Sequence, residues 1–249
     1  MSKNFRGRLM KIDVLPIFGK QKDAQLSETT VIVVDVLRAT TCMISALNGG
    51  AVKVVPTVDA GDAVALASRL GARECVLGGE RGGIKISGFD LGNSPAEYLS
   101  RTVRGKTVIV STTNGTGALY SVRSADRILL GAMINRLAVA KAAAAEGRDV
   151  LIVCAGTDGQ PSADDLTCAG AIIDGLRQFI DIGSDSLTDM TIVCENLYKD
   201  WKAGIFDLST TYHYRRLVKL GFEEDVYFCF TPDLTDTVPV YREGVIVKL

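Results

Sequence analysis

Up to about residue 180, short apolar runs rich in β-branched residues alternate with stretches in which apolar residues recur every three or four positions. The first pattern predicts buried strands and the second predicts amphipathic helices. The predicted strands cover residues 31–35, 52–55, 74–77, 107–110, 127–130 and 150–154. The predicted helices cover residues 39–47, 59–70, 115–122, 135–146 and 163–180, and a further helix begins near Asn93. This alternation indicates an α/β fold with a largely parallel sheet covered on both faces.

The pattern changes after Asp181. Residues 189–202 and 209–220 have helical periodicity, whereas residues 226–230 and 238–249 are predicted strands. Two strands with no helix between them predict antiparallel additions at an edge of the sheet. No segment has the composition of a linker, so we expect residues 1–249 to form a single domain.

The composition is that of a globular protein, with 47% hydrophobic and 23% charged residues among 249. A net charge of −1 and the lack of a basic segment argue against nucleic acid as a partner. No apolar run reaches the ~20 residues of a membrane span, and the N-terminus lacks the apolar core of a signal peptide. We therefore expect a cytoplasmic protein that does not contact a membrane.

The cysteine and histidine content excludes several kinds of chemistry. Six cysteines are scattered through apolar segments without a C-x-x-C pair, which indicates reduced, buried residues rather than disulfides or a zinc site. The only histidine, His213, argues against His-rich metal centres and Ser-His-Asp catalysis, and we expect it to be partly exposed and non-catalytic. A metal ion in this protein would be bound by oxygen atoms, which favours Mg²⁺.

The segment from Gly78 to Pro95 is the most informative in the chain, because its eighteen residues include six glycines and four charged residues. Glycine is entropically costly to order and allows backbone conformations that other residues avoid. Its abundance beside Glu80, Arg81 and Lys85 indicates close approach of the backbone to an anion, a metal ion or both. The alternative is a mobile surface loop.

Polar residues also follow the other strands, and ligands of open α/β sheets bind beyond the carboxyl ends of the strands. Asp35 follows the first predicted strand, and Arg38 could hold a phosphate in its fork, although a structural ion pair is the alternative. Residues 111–116 offer N–H groups and hydroxyls that suit an anion, although an ordinary N-cap would have the same pattern. Residues 154–165 end in the acidic pair Asp164 and Asp165.

Cys75 and Arg81 match the C-x5-R spacing of cysteine-dependent phosphatases. That chemistry needs a thiolate in a loop that leads into a helix N-terminus. Cys75 instead lies in a predicted strand, and the residues after Arg81 are a poor helix start. A cysteine-dependent phosphatase therefore remains only as an alternative, beside a non-catalytic anion-binding protein.

These polar strand ends, in this order, resemble those of the 2-phosphosulfolactate phosphatase family, and the resemblance spans nearly the whole chain. The segments that carry it are residues 34–41, 78–95, 111–116, 154–156, 164–170, 225–230 and 238–240. Asp164 departs from the glutamate that we expect more often in the family, so the resemblance favours Asp165 as the functional acid of this pair.

The resemblance implies a three-layer α/β/α fold and a homodimer. It also implies a Mg²⁺-dependent phosphatase that converts 2-phospho-3-sulfolactate to 3-sulfolactate and phosphate, a step towards coenzyme M. The small anionic phosphoester is therefore the expected partner of the site. The sequence leaves open whether water attacks the phosphoryl group directly or a covalent intermediate forms on Asp35.

On the basis of this resemblance, we assign catalysis to Asp35, Arg38, Glu80, Asn114 and Asp165. Asp35, Glu80 and Asp165 are the expected Mg²⁺ ligands, with water molecules completing the octahedron. Arg38 and Asn114 are expected to neutralise charge on the phosphoryl oxygens.

Further residues are assigned to substrate binding. Arg38 and Lys85 would bind the phosphoryl group, and Arg81 would bind the sulfonate or the carboxylate. The turn after the fourth predicted strand would add N–H and hydroxyl donors from Ser111, Thr112, Thr113, Asn114 and Gly115.

Overall fold

A computed structural model describes residues 10–19, 26–71, 73–183 and 186–249. Its strands are β1 (Ile12–Leu15), β2 (Thr29–Val34), β3 (Lys53–Thr57), β4 (Cys75–Arg81), β5 (Ile84–Lys85), β6 (Thr107–Ser111), β7 (Arg127–Gly131), β8 (Asp149–Cys154), β9 (Pro239–Arg242) and β10 (Val245–Lys248). Its α-helices, within the described residues, are α1 (Ala39–Asn48), α2 (Ala60–Leu70), α3 (Ser100–Val103), α4 (Gly115–Ser121), α5 (Arg136–Ala145), α6 (Ala163–Leu176), α7 (Asp189–Lys202), α8 (Tyr212–Lys219) and α9 (Glu223–Cys229).

The sheet is covered on both faces, which is clearest at β2. Val31 and Val33 pack into a core cluster with α1 and α4, whereas Ile32 and Val34 pack into a second cluster with α5, α6 and α7. Successive side chains of a strand point to opposite faces, so a strand with helices on both sides is apolar throughout. The three-layer α/β/α prediction is therefore confirmed.

The sheet has ten strands in the order β1-β8-β2-β7-β9-β10-β3-β6-β4-β5. Strands β1, β8, β2 and β7 form one parallel block, and β3, β6 and β4 form another. The hairpin β9–β10 joins the two blocks by antiparallel pairing with β7 and β3. Antiparallel strands from the C-terminal segment are thus confirmed.

The position of that hairpin differs from the prediction, because it lies in the middle of the sheet and not at an edge. Val240 and Tyr241 are buried, and Ile246 on β10 is also buried. An edge strand would leave one row of backbone groups and more of its side chains in water. The nearly continuous apolar run of this segment was the sign of a central position.

The predicted strand at residues 226–230 is wrong, since this segment lies in α9 and its C-terminal end. Its β-branched and aromatic residues favour a strand, but the buried residues Val226 and Cys229 are three positions apart and face the core together. Tyr227 and Phe228 are exposed between them. The acidic residues 223–225 lie in the first helical turn, where they interact favourably with the helix dipole.

Two strands were not predicted. β1 pairs in parallel with β8 at one edge, and β5 forms a short hairpin with the end of β4. The helix expected near Asn93 is only a 3₁₀ turn at Pro95–Glu97, followed by the short α3. No helix of the described ranges is long and apolar enough to cross a membrane.

Candidate active site

A cleft opens where β2, β4 and β6 end. Five residues predicted for the site line it, namely Asp35, Arg38, Glu80, Thr113 and Asn114. The tip of the β4–β5 hairpin, residues 80–83, forms one side, which we call the hairpin wall. Helix α8 lines the cleft, and we refer to α8 and the adjacent α9 together as the helical wall.

Asp35 is the first residue after β2 and is held by the start of α1. Its Oδ1 accepts a hydrogen bond from Ala39 N at 3.1 Å, and its backbone N–H donates to Thr40 Oγ1 at 3.1 Å. Burial, partly offset by the Ala39 hydrogen bond, raises the pKa of Asp35 to about 6, and the charges of Glu80 and Asp164 add to the rise. The carboxylate is therefore costly to ionise unless a cation joins it.

Gly115 explains how the backbone after β6 can approach that carboxylate. A Cβ at this position would lie 2.8 Å from Asp35 Oδ2 and 2.6 Å from the Ala39 side chain. Any other residue at position 115 would displace the carboxylate or the helix. Gly115 packs behind the cleft and is not among the residues that line it, so its role in substrate binding stays a prediction.

Glu80 lies at the end of β4 and joins two loops of the site. Its Oε2 accepts from Gly83 N and its Oε1 from Thr113 N, both at 2.7 Å. A Cβ on Gly79 would lie 2.1 Å from Ser111 O, and φ is +151° there, so glycine allows β4 and β6 to meet at this point. Glu80 is buried and lines the cleft together with Asp35, and its charge contributes to the raised pKa of Asp35.

Arg38 is the buried cation of the cleft. Its Nη1 forms an ion pair with Asp225 Oδ2 at 2.6 Å, and its Nη2 donates to Gly83 O at 3.0 Å. The guanidinium also lies over the Phe222 ring, 4.0 Å from its centroid. Asp225 in turn accepts from Ser94 Oγ at 2.6 Å. The helical wall thus holds Arg38 in a fixed orientation.

Residues of the turn after β6 have different roles. Thr113 and Asn114 line the cleft, and the Asn114 side chain makes no capping bond to α4. Thr113 N already donates to Glu80. Thr112 Oγ1 accepts from Thr116 N at 3.2 Å, which is an ordinary helix-start contact. Only part of this turn therefore faces a ligand.

Two predicted cations, together with Ser111, lie outside the cleft lining. Arg81 donates to Val58 O at 3.0 Å and to Ser111 Oγ at 2.9 Å, so it braces β6 from outside the cleft. Lys85 is exposed and lies opposite Glu80 in the hairpin register. Side chains alternate along a strand, so Arg81 points to the face opposite that of Glu80. Lys85, as the cross-strand partner of Glu80, shares the face of Glu80 but is not among the residues that line the cleft.

The two acidic residues at the start of α6 make different contacts. Asp165 accepts from Val36 N at 2.8 Å and from Gly156 N at 2.9 Å, and it does not line the cleft. Burial and the charges of Asp164 and Asp35 raise its pKa well above the ordinary value. Asp165 thus joins the ends of β2 and β8, while Asp164 contacts a residue of the helical wall.

That residue is His213, which the sequence suggested was non-catalytic and partly exposed. It lines the cleft, its side chain is 15% exposed, and its Nδ1 lies 3.2 Å from Asp164 Oδ2 and 3.0 Å from Thr157 Oγ1. Burial opposes its protonation, but the hydrogen bond and charge of Asp164, with Asp35, outweigh burial and raise its pKa. Ser162 Oγ donates to Asp164 and completes this network.

Arg216 is a second cation that the sequence did not single out. It lies one helical turn after His213, lines the cleft and pairs with Asp158 at 2.7 Å. Its spacing on α8 was the available signal, because residues three positions apart share a helix face. The partner of Arg38, Asp225, was also missed, because it lies directly before the segment predicted as a strand and was given no role in the site.

Cys75 and Arg81 lie at opposite ends of β4, so the C-x5-R match does not form a phosphate loop. The Cys75 thiol packs against α2 and donates to Gly71 O at 3.4 Å. Burial raises its pKa, as does the charge of Asp90, which disfavours the thiolate. All six cysteines are free and buried, as predicted.

A magnesium ion fits the cleft with two protein ligands rather than three. No cluster of three or more His, Cys, Asp or Glu side chains suited to a metal ion occurs among the described residues. Asp35 and Glu80 both line the cleft, and Asp35 is the carboxylate whose ionisation a cation would favour. Mg²⁺ is commonly bound through one or two carboxylates, water and substrate phosphate, which matches this donor set.

Comparison with known proteins assigns the chain to a family. A family model described as 2-phosphosulpholactate phosphatase matches residues 18–244. A protein named probable 2-phosphosulfolactate phosphatase from Caldanaerobacter subterraneus is 40% identical over 238 residues, covering 95% of this chain and 98% of the relative. Proteins of the same name from Clostridium novyi and Clostridium tetani are 36% and 37% identical, covering 96% and 95% of this chain and 100% of each relative. The chain belongs to the 2-phosphosulpholactate phosphatase family.

Proposed function

We propose that this protein hydrolyses 2-phospho-3-sulfolactate to 3-sulfolactate and phosphate with Mg²⁺ bound by Asp35 and Glu80. As a member of this family the chain is a phosphoric monoester hydrolase. The observation that carries the proposal is the meeting of two buried carboxylates and the buried guanidinium of Arg38 in one cleft. The reaction is of the type that leads towards coenzyme M, and the homodimer stays a prediction.

Asp35 and Glu80 would hold the metal ion, which would supply Lewis-acid charge stabilisation to the phosphoryl group when bound. Asp35 and Glu80 bring two carboxylates to the cleft, and backbone N–H groups hold Asp35 Oδ1 and both carboxylate oxygens of Glu80 in place. Ala39 N holds Asp35 Oδ1, which leaves Asp35 Oδ2 for a cation.

The remaining residues of the cleft suit the phosphoryl group and its leaving oxygen. Arg38 and Asn114 would bind the phosphoryl oxygens, since both line the cleft and both carry N–H donors. His213 holds its Nδ1 against Asp164, which leaves Nε2 to donate a proton to the ester oxygen as the P–O bond breaks. Water supplies the oxygen that bonds to phosphorus, and its proton returns to the solvent.

The test is phosphate release from 2-phosphosulfolactate by the purified protein, with Mg²⁺ and with excess EDTA. We expect turnover with Mg²⁺, loss of turnover in EDTA, and recovery when Mg²⁺ is added back. Asp35→Asn should lower kcat/KM by about 10²- to 10³-fold, because it removes charge at the reacting group. Asp126→Asn, at an exposed ion pair that is not part of the cleft lining, is the matched control.

A folding control separates chemistry from stability. The folded-state pKa of Asp35 is raised to about 6, so in EDTA its ionisation costs free energy of folding as pH rises from 4 to 6. Asp35→Asn should therefore be at least as stable as the parent at pH 8, and the difference should vanish below pH 4. Turnover that survives EDTA but falls in Cys75→Ser would support the cysteine-dependent alternative instead.

A further inference from the structure

The cleft contains two arginines with different freedom to move. Arg38 is buried and bonded to Asp225 and Gly83, so its guanidinium has a fixed place. The Arg216 side chain is 30% exposed, and its partner Asp158 is 48% exposed. Exposed ion pairs contribute little net free energy, so Arg216 can exchange its partner at small cost.

Helix α8 points Arg216 into the cleft. Thr211 caps the helix by accepting from Tyr214 N, which sets the start of α8. His213, Arg216 and Leu217 then follow at helical spacing, and all three line the cleft. Arg216 is therefore about one helical turn from the residue that would protonate the leaving oxygen.

The hairpin wall leaves room for that guanidinium. A Cβ on Gly82 would lie 3.6 Å from Arg216 Nη2, and φ is +63° there. Because the tip has no side chain at this position, only backbone of the hairpin wall lies beside the Arg216 guanidinium there. A larger residue at position 82 would be strained and would crowd the arginine.

Asp158 holds Arg216 at the edge of the cleft in the free protein. It lies in a tight turn in which Thr157 N donates to Gln160 O and Gln160 N donates to Thr157 O, at 2.9 and 3.0 Å. Its φ of +50° is one that aspartate tolerates in turns. The turn thus fixes a carboxylate at the mouth of the cleft, at 2.7 Å from Arg216 Nη1.

We propose that Arg216 exchanges Asp158 for a second oxyanion group of the substrate, a carboxylate or sulfonate, and so makes the cleft selective for phosphate esters that carry one. The proposal rests on the proposed phosphatase function. A guanidinium fork matches the spacing of carboxylate or sulfonate oxygens. The metal ion held by Asp35 and Glu80 and the guanidinium of Arg38 are both assigned to the phosphoryl group, so a second anion of the substrate would need a further cation.

The experiment compares three phosphate esters of secondary alcohols: 2-phosphosulfolactate, 2-phospholactate and isopropyl phosphate. Arg216→Gln should lower kcat/KM for 2-phosphosulfolactate by about 10- to 100-fold, the range for losing a hydrogen-bonded ion, and leave isopropyl phosphate within about threefold. The effect on 2-phospholactate depends on which anionic group Arg216 binds. Arg215→Gln, the exposed neighbour on α8, is the matched control and should leave all three unchanged. Asp158→Asn should lower KM for the two anion-bearing esters, because it removes the competing carboxylate.

The two anion-bearing substrates distinguish the group that Arg216 binds. A loss with 2-phosphosulfolactate alone assigns it to the sulfonate, and a loss with both assigns it to the carboxylate. An equal loss with all three substrates, no loss with any, or a higher KM in Asp158→Asn would overturn the proposal.

A binding measurement separates this proposal from the phosphatase function. Calorimetry with 3-sulfolactate and inorganic phosphate needs no turnover. Arg216→Gln should weaken binding of 3-sulfolactate by about 10-fold or more and leave phosphate binding unchanged. If the parent protein releases no phosphate but Arg216→Gln weakens 3-sulfolactate binding, the proposed phosphatase function is wrong, while the proposed role of Arg216 in anion binding is supported. Unchanged 3-sulfolactate binding overturns the role of Arg216 whether or not phosphate is released.

Discussion

The hairpin wall and the helical wall meet over the same cleft, but they are built differently. The hairpin wall offers backbone and one carboxylate, and Glu80 is fixed there by N–H groups of Gly83 and Thr113. The helical wall offers charged side chains, with His213 and Arg216 facing the cleft. Asp225, also of the helical wall, lies behind Arg38.

The difference suggests a division of labour. Backbone hydrogen bonds of the hairpin wall leave little freedom, which suits the binding of a metal ion and a phosphoryl group whose geometry is always the same. Side chains on α8 can change partner, which suits recognition of the part of the substrate that varies. The following three variants test that comparison.

Asp225→Asn should have the largest effect, because it breaks the buried contact between the helical wall and Arg38. One partner of a buried ion pair would lose its counter-charge, so the free energy of unfolding should fall by about 3 kcal/mol. We expect kcat/KM to fall by about 100-fold as the guanidinium loses its orientation. Chemical denaturation and phosphate release measure the two effects.

Glu224→Gln, exposed on the same helix, is the control for this variant and should change neither quantity. An Asp225→Asn protein with unchanged stability and unchanged activity would show that the hairpin wall alone, through Gly83, is enough to hold Arg38.

His213→Gln tests the proton donor of the helical wall. The pKa of His213 is raised above its ordinary value, so the protonated form persists to higher pH and is lost as pH rises through that raised pKa. In the parent protein kcat/KM should fall above this pKa. The variant should be about 100-fold less active near pH 6 and should lack that alkaline decline.

Tyr214→Phe, on the same helix, should keep the pH profile of the parent. A profile that is identical in the parent and in His213→Gln would remove His213 from proton transfer and leave it with a structural role beside Asp164.

Arg81→Gln should have the smallest effect, and it tests whether the outer side of the hairpin takes part. Arg81 contacts Val58 O and Ser111 Oγ and is exposed, so kcat/KM should change by less than about threefold. Kinetics with 2-phosphosulfolactate would check this. A selective loss of more than 10-fold for the sulfonate-bearing substrate would instead place Arg81 at the anion, as the sequence first suggested.

Much of the fold could be predicted because its signals are local. The apolar run of β2 and the helix that follows from Ala39 were both anticipated, the latter within one residue of its observed end at Asn48. The helix α9 was not predicted, because its aromatic and β-branched residues have strand propensity. The burial of its residues, however, follows helical spacing. Only packing against Arg38 and the core decides between the two.

The candidate site shows the same limit. Asp35, Arg38, Glu80, Thr113 and Asn114 were predicted and share the cleft, because strand ends bring their residues to one place whatever the loops contain.

Residues of the acidic pair and of α8 could not be assigned in this way. Asp164 and Asp165 are adjacent in sequence and chemically identical. Asp164 nevertheless contacts His213, whereas Asp165 accepts a hydrogen bond from the backbone N–H of Val36, just after β2. Neither composition nor spacing distinguishes them, since the direction of each side chain depends on how α6 is rotated against the sheet.

The sequence by itself determined the alternation of strands and helices, the burial of β2 and the acids and glycines at the strand ends, because these depend on local periodicity and local backbone freedom. The tertiary structure alone decided that the C-terminal hairpin is central, that Asp225 pairs with Arg38 across 187 positions of sequence, and that His213 and Arg216 face the cleft. Such contacts depend on long-range packing, in which a small rotation of a helix exchanges the residues that face the ligand.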